Sequence, residues 1–314
     1  MARPRSRGSR TRHRRALSSS SPRPGFATDG FEGCRLMAEL VDDWFSMDDF
    51  MSSAADGSLR SAFQPMVGGE QTVVGLEVLI RWIHPRYGLL NAAQFIDHID
   101  SHAAFYEIAR ISIDSVMELI EDGISGLIFG INISEFDLAN PRVIELFCRS
   151  RPAFDASSCD VLLEISESID FSRNKHLMNS VRQLEQAGYH FAIDDFFSDE
   201  STTFPIRKIN LKAMKLDMHI SRSYRSSHND LVLIKTMVYY CNLMNIVLVA
   251  EGVEERDQFV ELRAIGVHKF QGYLFSKAVF REDLWSTLEM LGYDPAHEPF
   301  TVKRFWKDVY RIGA

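Results

Sequence analysis

Seven separate apolar segments of the sequence each carry a charged or amide side chain. In most of them the polar residue falls toward the C-terminal end of the segment, among Val, Ile, Leu and Phe neighbours. A charged group among apolar residues needs a partner, so we expect these side chains to converge on one site. They are Glu77, Asn132, Glu164, Asp194 with Asp195, Lys215, Glu251 and Gln271.

The oxygen donors of this set predict a metal site. No Cys or His accompanies them, and hard oxygen ligands select Mg²⁺ or Mn²⁺ over zinc. Four carboxylates packed together would repel one another, and one or two divalent ions would compensate for that repulsion. The alternative is a layer of salt bridges, in which Lys215 and Arg81 could offset only two of the charges. The expected ligands are Glu77, Asn132, Glu164, Asp194 and Asp195.

A pair of metal ions suits the attack of water on a phosphodiester. One ion lowers the pKa of the water, and both stabilise charge on the entering and leaving oxygens. Lys215 lies two residues before Asp217, so both side chains are expected to point inward from one strand. Beside metal ions the pKa of Lys215 should be depressed, which would let this residue orient or deprotonate the water. Arg81, four residues after Glu77, could bind a substrate phosphate or form an ordinary ion pair at a strand end.

The segments that carry these residues alternate with longer amphipathic stretches, a pattern typical of β/α units. Helical patterns begin at Ala104, Asn174 and Asn229, and the second ends at Gly188, a residue suited to a helix C-cap. Residues 67–73 are too few for a helix, so the first two strands are expected to form an antiparallel hairpin. Eight strands are predicted, near 61–67, 73–81, 127–133, 160–166, 190–195, 213–218, 246–251 and 268–273.

Eight strands with intervening helices over about 240 residues predict an α/β fold, a (β/α)₈ TIM-type barrel with an antiparallel first strand. The alternative is a doubly wound sheet, but no Gly-rich phosphate loop follows the first strand. In a barrel, polar residues at the carboxyl ends of several strands mark the catalytic rim.

The chain ends differ from the predicted barrel in composition. Residues 1–36 contain nine Arg against Asp29 and Glu32, without apolar periodicity, so a disordered Arg/Ser-rich tail is expected. Three interpretations stay open: a solvated tail, a basic arm for nucleic acid or anionic lipid, and a segment that is not translated because the chain starts at Met37 or Met47. Residues 37–60 predict a short helical extension that covers a barrel end or binds a partner, 61–292 the barrel, and 293–314 a C-terminal extension.

Composition narrows the class of protein further. The chain has 314 residues, 46% of them hydrophobic, which excludes a disordered or fibrous protein. The net charge of −8 argues against nucleic acid as a partner, and no apolar run of about 18 residues predicts a membrane span. The 4 cysteines form no C-x-x-C pair. They therefore favour a reducing, cytoplasmic location.

The sequence resembles the EAL-domain phosphodiesterases, which hydrolyse the bacterial second messenger cyclic di-GMP to linear pGpG. The resemblance runs from about Phe63 to Phe280. It rests on the motifs FQPMV, GLEVLIRW, HPRYG, NIS, LEISE, DDF, KLD, AEGVE and QGYLFS. It implies a (β/α)₈ barrel whose first strand is antiparallel, in agreement with the hairpin inferred above.

The resemblance also implies a role for each matching residue. Glu77, also counted with the catalytic residues, binds the metal ions together with Asn132, Glu164, Asp194 and Asp195. Glu251 holds a water at the metals, and Lys215 assists the nucleophile. The positions that match the substrate pocket of the family are Gln64, Arg81, Glu254 and Gln271.

The sequence departs from the family pattern at two places, and the second departure has the larger consequence for function. Val78 replaces the namesake alanine, but its side chain is expected to face the outer helices and removes no ligand. After the paired aspartates the family reads DDFGTGYSS, whereas this chain reads DDFFSDEST, with Phe197, Asp199 and Glu200 at the Gly, Gly and Tyr positions. Two glycines that reach φ > 0 are lost, and negative charge is added where an anionic dinucleotide must bind.

This divergent loop leaves the functional prediction open between two classes. In the family, the residue that Glu167 resembles anchors the loop, and the loop couples to metal binding and to dimerisation, so a homodimer is expected. An intact set of metal-binding and lysine residues predicts a cyclic di-GMP phosphodiesterase. The alternative is a catalytically silent regulator that binds cyclic di-GMP or a protein partner.

Overall fold

A computed structural model describes residues 44–171, 174–196 and 208–295, apart from the side chain of Asp195. The chain divides into two compact units, Met1–Trp44 and Phe45–Ala314, and almost all of the described residues belong to the second. The predicted tail at 1–36, the first part of the predicted extension, the substituted loop positions 197–200 and the end of the chain from 296 lie outside the described residues.

The described residues form a nine-stranded mixed sheet in which eight strands close into a barrel. The strand order is β1-β9-β8-β7-β6-β5-β4-β2-β3, and an additional pairing of β1 with β2 closes the ring. The strands are β1 (Leu59–Gly68), β2 (Val73–His84), β3 (Gly88–Asn91), β4 (Ile128–Ile133), β5 (Asp160–Ser166), β6 (His190–Phe196), β7 (Leu211–Leu216), β8 (Val247–Ala250) and β9 (Lys269–Gln271).

The first strand is antiparallel to both of its neighbours. Gln64 pairs with Glu77 of β2, and Met66 pairs with Gln271 of β9. From β2 through β4 to β9 the barrel strands run parallel to one another. The predicted (β/α)₈ barrel with an antiparallel first strand is therefore confirmed, and each of the eight predicted strands overlaps an observed one.

Helices lie between most of the parallel strands in the described ranges, as β/α units require. The helix at Lys175–Ala187 ends at Gly188, whose φ of 101° is the left-handed conformation expected of a glycine C-cap. The helices are α1 (Met47–Asp56), α2 (His102–Glu121), α3 (Glu135–Leu138), α4 (Pro141–Ala156), α5 (Lys175–Ala187), α6 (Met218–Ser223), α7 (His228–Met244), α8 (Arg256–Ile265) and α9 (Arg281–Met290). Two 3₁₀ turns lie at Ala92–Gln94 and Ile96–His98.

Apolar side chains fill the barrel on both faces of its strands. The larger core lies between strands and helices and includes Val78, as expected for a residue that faces outward from β2. The smaller core fills the barrel interior with Met66, Val74, Ile128, Leu162, Ala192, Ala213, Val247 and Val249. Because this interior layer is apolar, polar side chains further along the same strands can meet only at the carboxyl ends of the strands.

The hairpin of β1 and β2 extends beyond the barrel, since Leu59 pairs with Trp82, five residues after Glu77. Helix α1 begins after its N-cap Ser46 and packs Phe50 against Trp82 and Phe95, with ring centroids 5.4 and 5.8 Å apart. No helix in the described ranges is both long and apolar enough to cross a membrane.

Candidate active site

The ammonium group of Lys215 lies among four carboxylates. Its Nζ is 2.7 Å from Glu251 Oε1, 2.8 Å from Glu164 Oε2, 2.9 Å from Asp194 Oδ1 and 3.4 Å from Glu77 Oε1. Lys215 is only 1% exposed. The sequence-predicted site residues of β2, β5, β6, β7 and the segment after β8 therefore meet around one buried cation.

Strand register brings these side chains to one level of the barrel. Asn132 of β4 is paired with Glu164 of β5, and Ser166 of β5 with Asp194 of β6. Glu251 directly follows β8, which ends at Ala250. All of these residues lie at or near the carboxyl ends of parallel strands, where TIM-type barrels build their catalytic sites.

Two amide side chains hold the Glu77 carboxylate from different strands. Gln271 donates from Nε2 to Glu77 Oε2, and Asn132 donates from Nδ2 to Glu77 Oε1 at 3.3 Å. Gln271 is buried, whereas Asn132 is exposed at the edge of the cluster. Glu77 is thus fixed by donors on both sides of its strand.

The donor set fits a divalent cation. Carboxylate oxygens of Glu77, Glu164 and Asp194 all lie within 4.8 Å of one another. Glu164 Oε1 is buried and has no hydrogen-bond partner among the described residues, although a buried polar oxygen normally has one. Oxygen ligands at this spacing are those that Mg²⁺ or Mn²⁺ prefers.

The charges in this cluster do not balance. One ammonium faces four carboxylates, which leaves three negative charges uncompensated when all groups are ionised. Burial raises the pKa of Glu164 to about 8, with Glu77 and Asp194 adding to the shift and Lys215 opposing it. Burial also raises the pKa of Glu251 well above its usual value. This excess of negative charge favours the binding of protons or of cations at the cluster.

The structure bears on two expectations about Lys215 and its neighbour Asp217, and it corrects the second. Burial opposes the charged form of Lys215, but Asp194, Glu164 and Glu251 outweigh burial and hold the pKa of Lys215 well above its usual value. The depression expected beside metal ions concerns the metal-bound site and stays a prediction. Asp217 does not share the inward face of β7, because the strand ends at Leu216 and the Asp217 carboxylate caps α6 by accepting from His219 N at 2.6 Å.

An open pocket of about 250 Å³ leads to the cluster. Glu164 and Asn132 do not line it, but each contacts a residue that does, Lys215 and Glu77 respectively. The sequence-predicted residues that line it are Gln64, Glu77, Asp194, Lys215, Glu251, Glu254 and Gln271.

Of the other predicted residues, Arg81 and Glu167 do not line this pocket. Arg81 is partly buried and donates from Nη1 to the carbonyl of Ile80 at 2.9 Å. Burial lowers its pKa, and Glu77 opposes the shift. Glu167 is buried just after β5. Asp195 follows Asp194 on β6, but its side chain lies outside the described part of the chain.

Sequence reasoning assigned no role to several residues that line the pocket. Arg222 projects from α6, and Tyr273 follows Gln271 by two residues with 61% of its surface exposed. Tyr273 lies in the turn after β9, which ends at Gln271, so the alternation of a strand does not account for its position. Neither Tyr273 nor Arg222 carries a clear signal in the sequence. The remaining ones are Leu79, Met218, Gly252 and Gly272.

The fold and the site together define a TIM-type barrel protein with a lysine and carboxylate centre at the carboxyl ends of its strands. The family model for the EAL domain matches residues 47–278. The chain therefore belongs to the EAL domain family, as the motifs predicted.

Named relatives and solved structures agree with this membership. Cyclic di-GMP phosphodiesterase PdeR of Escherichia coli (strain K12) is 25% identical over 246 residues, which cover 77% of this chain and 37% of PdeR. The chain spans about a third of the length of the curated relatives it matches. The structure of the PaMucR phosphodiesterase in complex with c-di-GMP has a TM-score of 0.66 at 23% identity, covering 76% of this chain and 98% of that one.

Metal ions occur in solved relatives of this fold. Structures of Klebsiella pneumoniae BlrP1 with c-di-GMP and either calcium or manganese have a TM-score of 0.61 at 22% identity, covering 71% of this chain and 56% of theirs. At this level of identity the likeness to the solved structures concerns the fold.

Proposed function

We propose that this chain is a cyclic di-GMP phosphodiesterase that hydrolyses its substrate to linear pGpG with the help of Mg²⁺ or Mn²⁺. The observation that carries the proposal is the buried Lys215 with four carboxylates at the base of an open pocket. Membership of the EAL domain family supports the choice of substrate, because the named relatives include cyclic di-GMP phosphodiesterases.

The proposed metal-binding residues are those whose oxygens converge beside Lys215, with Asn132 and Asp195 at the neighbouring strand positions. One or two divalent ions bound there would supply a more acidic water and stabilise charge on the phosphate oxygens. Glu164 has a free oxygen in the cluster, and Gln271 and Asn132 hold the Glu77 carboxylate in place. The set is Glu77, Asn132, Glu164, Asp194 and Asp195.

Lys215 and Glu251 would act together on the attacking water. Lys215 Nζ lies 2.7 to 2.9 Å from carboxylate oxygens of Glu251, Glu164 and Asp194, so this residue would lie beside the bound ions and assist the nucleophile by orienting the attacking water. Glu251 Oε1 lies 2.7 Å from Lys215 Nζ, and burial raises the pKa of Glu251 well above that of an ordinary carboxylate. We propose that Glu251 holds a water at the metal ions, beside the ammonium group of Lys215.

The remaining predicted residues bind and position the dinucleotide. Gln64 and Glu254 line the pocket with Gln271, and Gln64 is itself held by the bond from its Nε2 to the carbonyl of Ser276 at 3.2 Å. Arg81 lies at the outer end of β2, where its guanidinium could leave the Ile80 carbonyl for a phosphate. Glu167 would anchor the loop that follows Asp195.

The test is hydrolysis of cyclic di-GMP by the purified full chain with Mg²⁺ or Mn²⁺, with products resolved by chromatography. We expect pGpG to appear and to be lost in Glu77→Ala, because that change opens the metal site. Binding in Ca²⁺ is measured in parallel to separate affinity from turnover. Binding without any product, or full activity in Glu77→Ala, would contradict the proposal.

The sequence of the loop favours a second candidate, a catalytically silent regulator. Phe197, Asp199 and Glu200 replace residues that the family pattern has as Gly, Gly and Tyr, and they add negative charge. In that case the chain would act by binding cyclic di-GMP or a protein partner. Under either candidate we propose a cytoplasmic homodimer, in which the loop would couple the site to the second copy.

A further inference from the structure

The segment that carries Glu251 lies beyond the last hydrogen-bonded pair of its strand. Strand β8 ends at Ala250, and its ladder with β7 ends where Ala250 pairs with Leu216. Glu251 follows one residue later, and residues 251–255 form neither helix nor strand. The sheet therefore fixes the backbone of Lys215, which is paired within β7 and β8, but not that of Glu251. A carboxylate that must meet Lys215 from this segment needs another support.

The side-chain amide of Gln258 joins the segments that follow β7 and β8. Gln258 lies in the first turn of α8 and is only 5% exposed. Its Oε1 accepts from Glu254 N at 2.9 Å and from Glu255 N at 3.4 Å, and its Nε2 donates to the carbonyl of Ser221 at 2.6 Å. Ser221 belongs to α6 and is fully buried. Gln258 thus links the two segments beyond the point where their strands cease to pair.

The segment after β8 also packs closely against its neighbours. At Gly252, whose φ is +63°, a Cβ would lie 2.7 Å from Met218 Cβ, so the glycine lets α6 approach this segment. On the other side, Val253 donates to the carbonyl of Gln271 and accepts from Leu274 N, each at 3.0 Å. The segment is therefore held from two sides, by α6 and by the chain at the end of β9.

The amide of Gln258 has more hydrogen-bonding groups than a helix cap needs. Gln258 closes the capping box of α8, in which its oxygen accepts from the backbone of the N-cap Glu255. A glutamate closes such a box as a glutamine does, since only an acceptor is required. The Nε2 donor takes no part in the cap and reaches the carbonyl of Ser221 on another helix. The cap of α8 and the link to α6 are therefore separate functions of one side chain.

We propose that Gln258 is a positioning residue, whose hydrogen bond to Ser221 fixes the segment after β8 on α6 and so places Glu251 against Lys215. The proposal rests on the proposed function, in which Glu251 and Lys215 act on the attacking water. Glu251 Oε1 lies 2.7 Å from Lys215 Nζ, and a displacement of about 1 Å at a reacting group can lower a rate about a hundred-fold. Gln258 does not line the pocket, so it acts through the segment that it holds.

The experiment separates the link to α6 from the cap of α8. Gln258→Glu keeps the acceptor of the capping box but sets a carboxylate against the Ser221 carbonyl, whereas Gln258→Ala removes both functions. Gln94→Glu is the matched control, because Gln94 is exposed and closes a capping box of its own by accepting from Asn91 N at 2.9 Å. For each full-length variant, kcat for cyclic di-GMP is measured in Mg²⁺, Kd is measured in Ca²⁺, and amide hydrogen exchange is followed by mass spectrometry.

Gln258→Glu should lower kcat by roughly ten-fold or more and change Kd much less, because the displaced group acts on the water. Amide exchange in α6 and in residues 251–255 should become faster, while α8 stays protected because its cap is kept. Gln258→Ala should lower kcat to a similar extent and also reduce protection in the first turns of α8. Gln94→Glu should match the wild type in kcat, in Kd and in the exchange of these segments.

A wild-type kcat in Gln258→Glu would show that the residue only caps α8, and a fall in kcat matched by an equal rise in Kd would also overturn the positioning role. A wild type that forms no product would overturn the phosphodiesterase activity, and hydrogen exchange would then decide on Gln258 alone. Faster exchange of α6 and residues 251–255 in Gln258→Glu, with α8 protected, would support the link, and unchanged exchange would overturn it.

Discussion

Gly130 of β4 leaves the space that the Glu164 carboxylate of β5 occupies. A Cβ at position 130 would lie 2.1 Å from Glu164 Oε1 and 2.9 Å from its Cδ. Glu164 is only 1% exposed, so its carboxylate has no route into solvent. The Glu164 carboxylate can therefore occupy its position only because residue 130 on the neighbouring strand has no side chain.

Gly130→Ala should weaken divalent metal binding by about ten-fold or more, because it displaces a proposed ligand. Calorimetric titration with Mn²⁺ measures the change directly. Gly68→Ala is the matched control, since a Cβ at this strand glycine would meet Val74 at an ordinary 3.5 Å. Equal metal affinity in the two variants would show that Glu164 does not need the space at Gly130.

Lys215→Met should destabilise the metal-depleted protein by roughly 3 to 5 kcal/mol, because it leaves four clustered carboxylates, two of them buried, without their cation. Urea unfolding in EDTA measures the loss, and saturating Mg²⁺ should recover part of it. Lys212→Met on the same strand is the control, as Lys212 lies outside the cluster. The interpretation fails if both variants lose the same stability, or if Lys215→Met retains hydrolysis.

Asp137 should make the free energy of unfolding depend on pH below neutrality. Burial raises the pKa of Asp137 to about 6, against the opposing hydrogen bonds from Ser134, whereas the ordinary value is 3.8. The native state therefore holds its proton up to higher pH than the unfolded chain does. The stabilisation is fully present below about pH 4 and is lost as the pH rises through 6, at most about 3 kcal/mol in all.

Asp137→Asn removes this titration, so its stability relative to wild type should rise between pH 4 and pH 6. Urea unfolding at a series of pH values measures the difference. Asp114→Asn, at an exposed carboxylate paired with Arg110, should show no such rise. A flat difference for Asp137→Asn across the window would mean that Asp137 does not titrate there.

The divergent loop gives a prediction about rate. Phe197→Gly combined with Asp199→Gly should raise kcat, because the family pattern has glycine at both positions, glycine reaches φ > 0 without steric cost, and the loop loses one negative charge. Steady-state kinetics with cyclic di-GMP provide the test. Asp199→Asn separates charge from flexibility, since it should lower KM without the full gain in kcat. An unchanged rate in the double variant would mean that the loop does not limit turnover.

Much of this architecture follows from the sequence alone. Short runs rich in Val, Ile, Leu and Phe marked the barrel strands, because strands buried on both faces carry few polar residues. The short strand Gly88–Asn91 was missed, since its four residues GLLN contain only two apolar side chains. In the sequence, Asp217 follows Lys215 at the two-residue spacing of side chains on one face of a strand, so it was expected on β7. Only the structure reveals that it caps the following helix.

The site was predictable as a set of residues but not as an arrangement. Residue types and spacing identified Lys215 and its four carboxylates, yet the distances around its Nζ depend on strand register in a closed barrel. Arg222 could not be predicted because no periodicity separates a helix residue beside a pocket from one beside solvent.

The antiparallel first strand also has a consequence for how the chain folds. β1 pairs with β2 and β9, and the hydrogen bond from Gln271 to Glu77 joins residues 194 positions apart. During synthesis β1 and β2 leave the ribosome before the other barrel strands. The pairing of β1 with β9 can form only after nearly the whole domain has been synthesised. Strand pairings between residues this distant in sequence slow folding. Before these pairings have formed, β1 and β8 each have an unpaired edge that another nascent chain can bind. Ring closure and assembly of the Glu77 centre are thus one late event, so a protein truncated before β9 should lack this centre and be prone to aggregate.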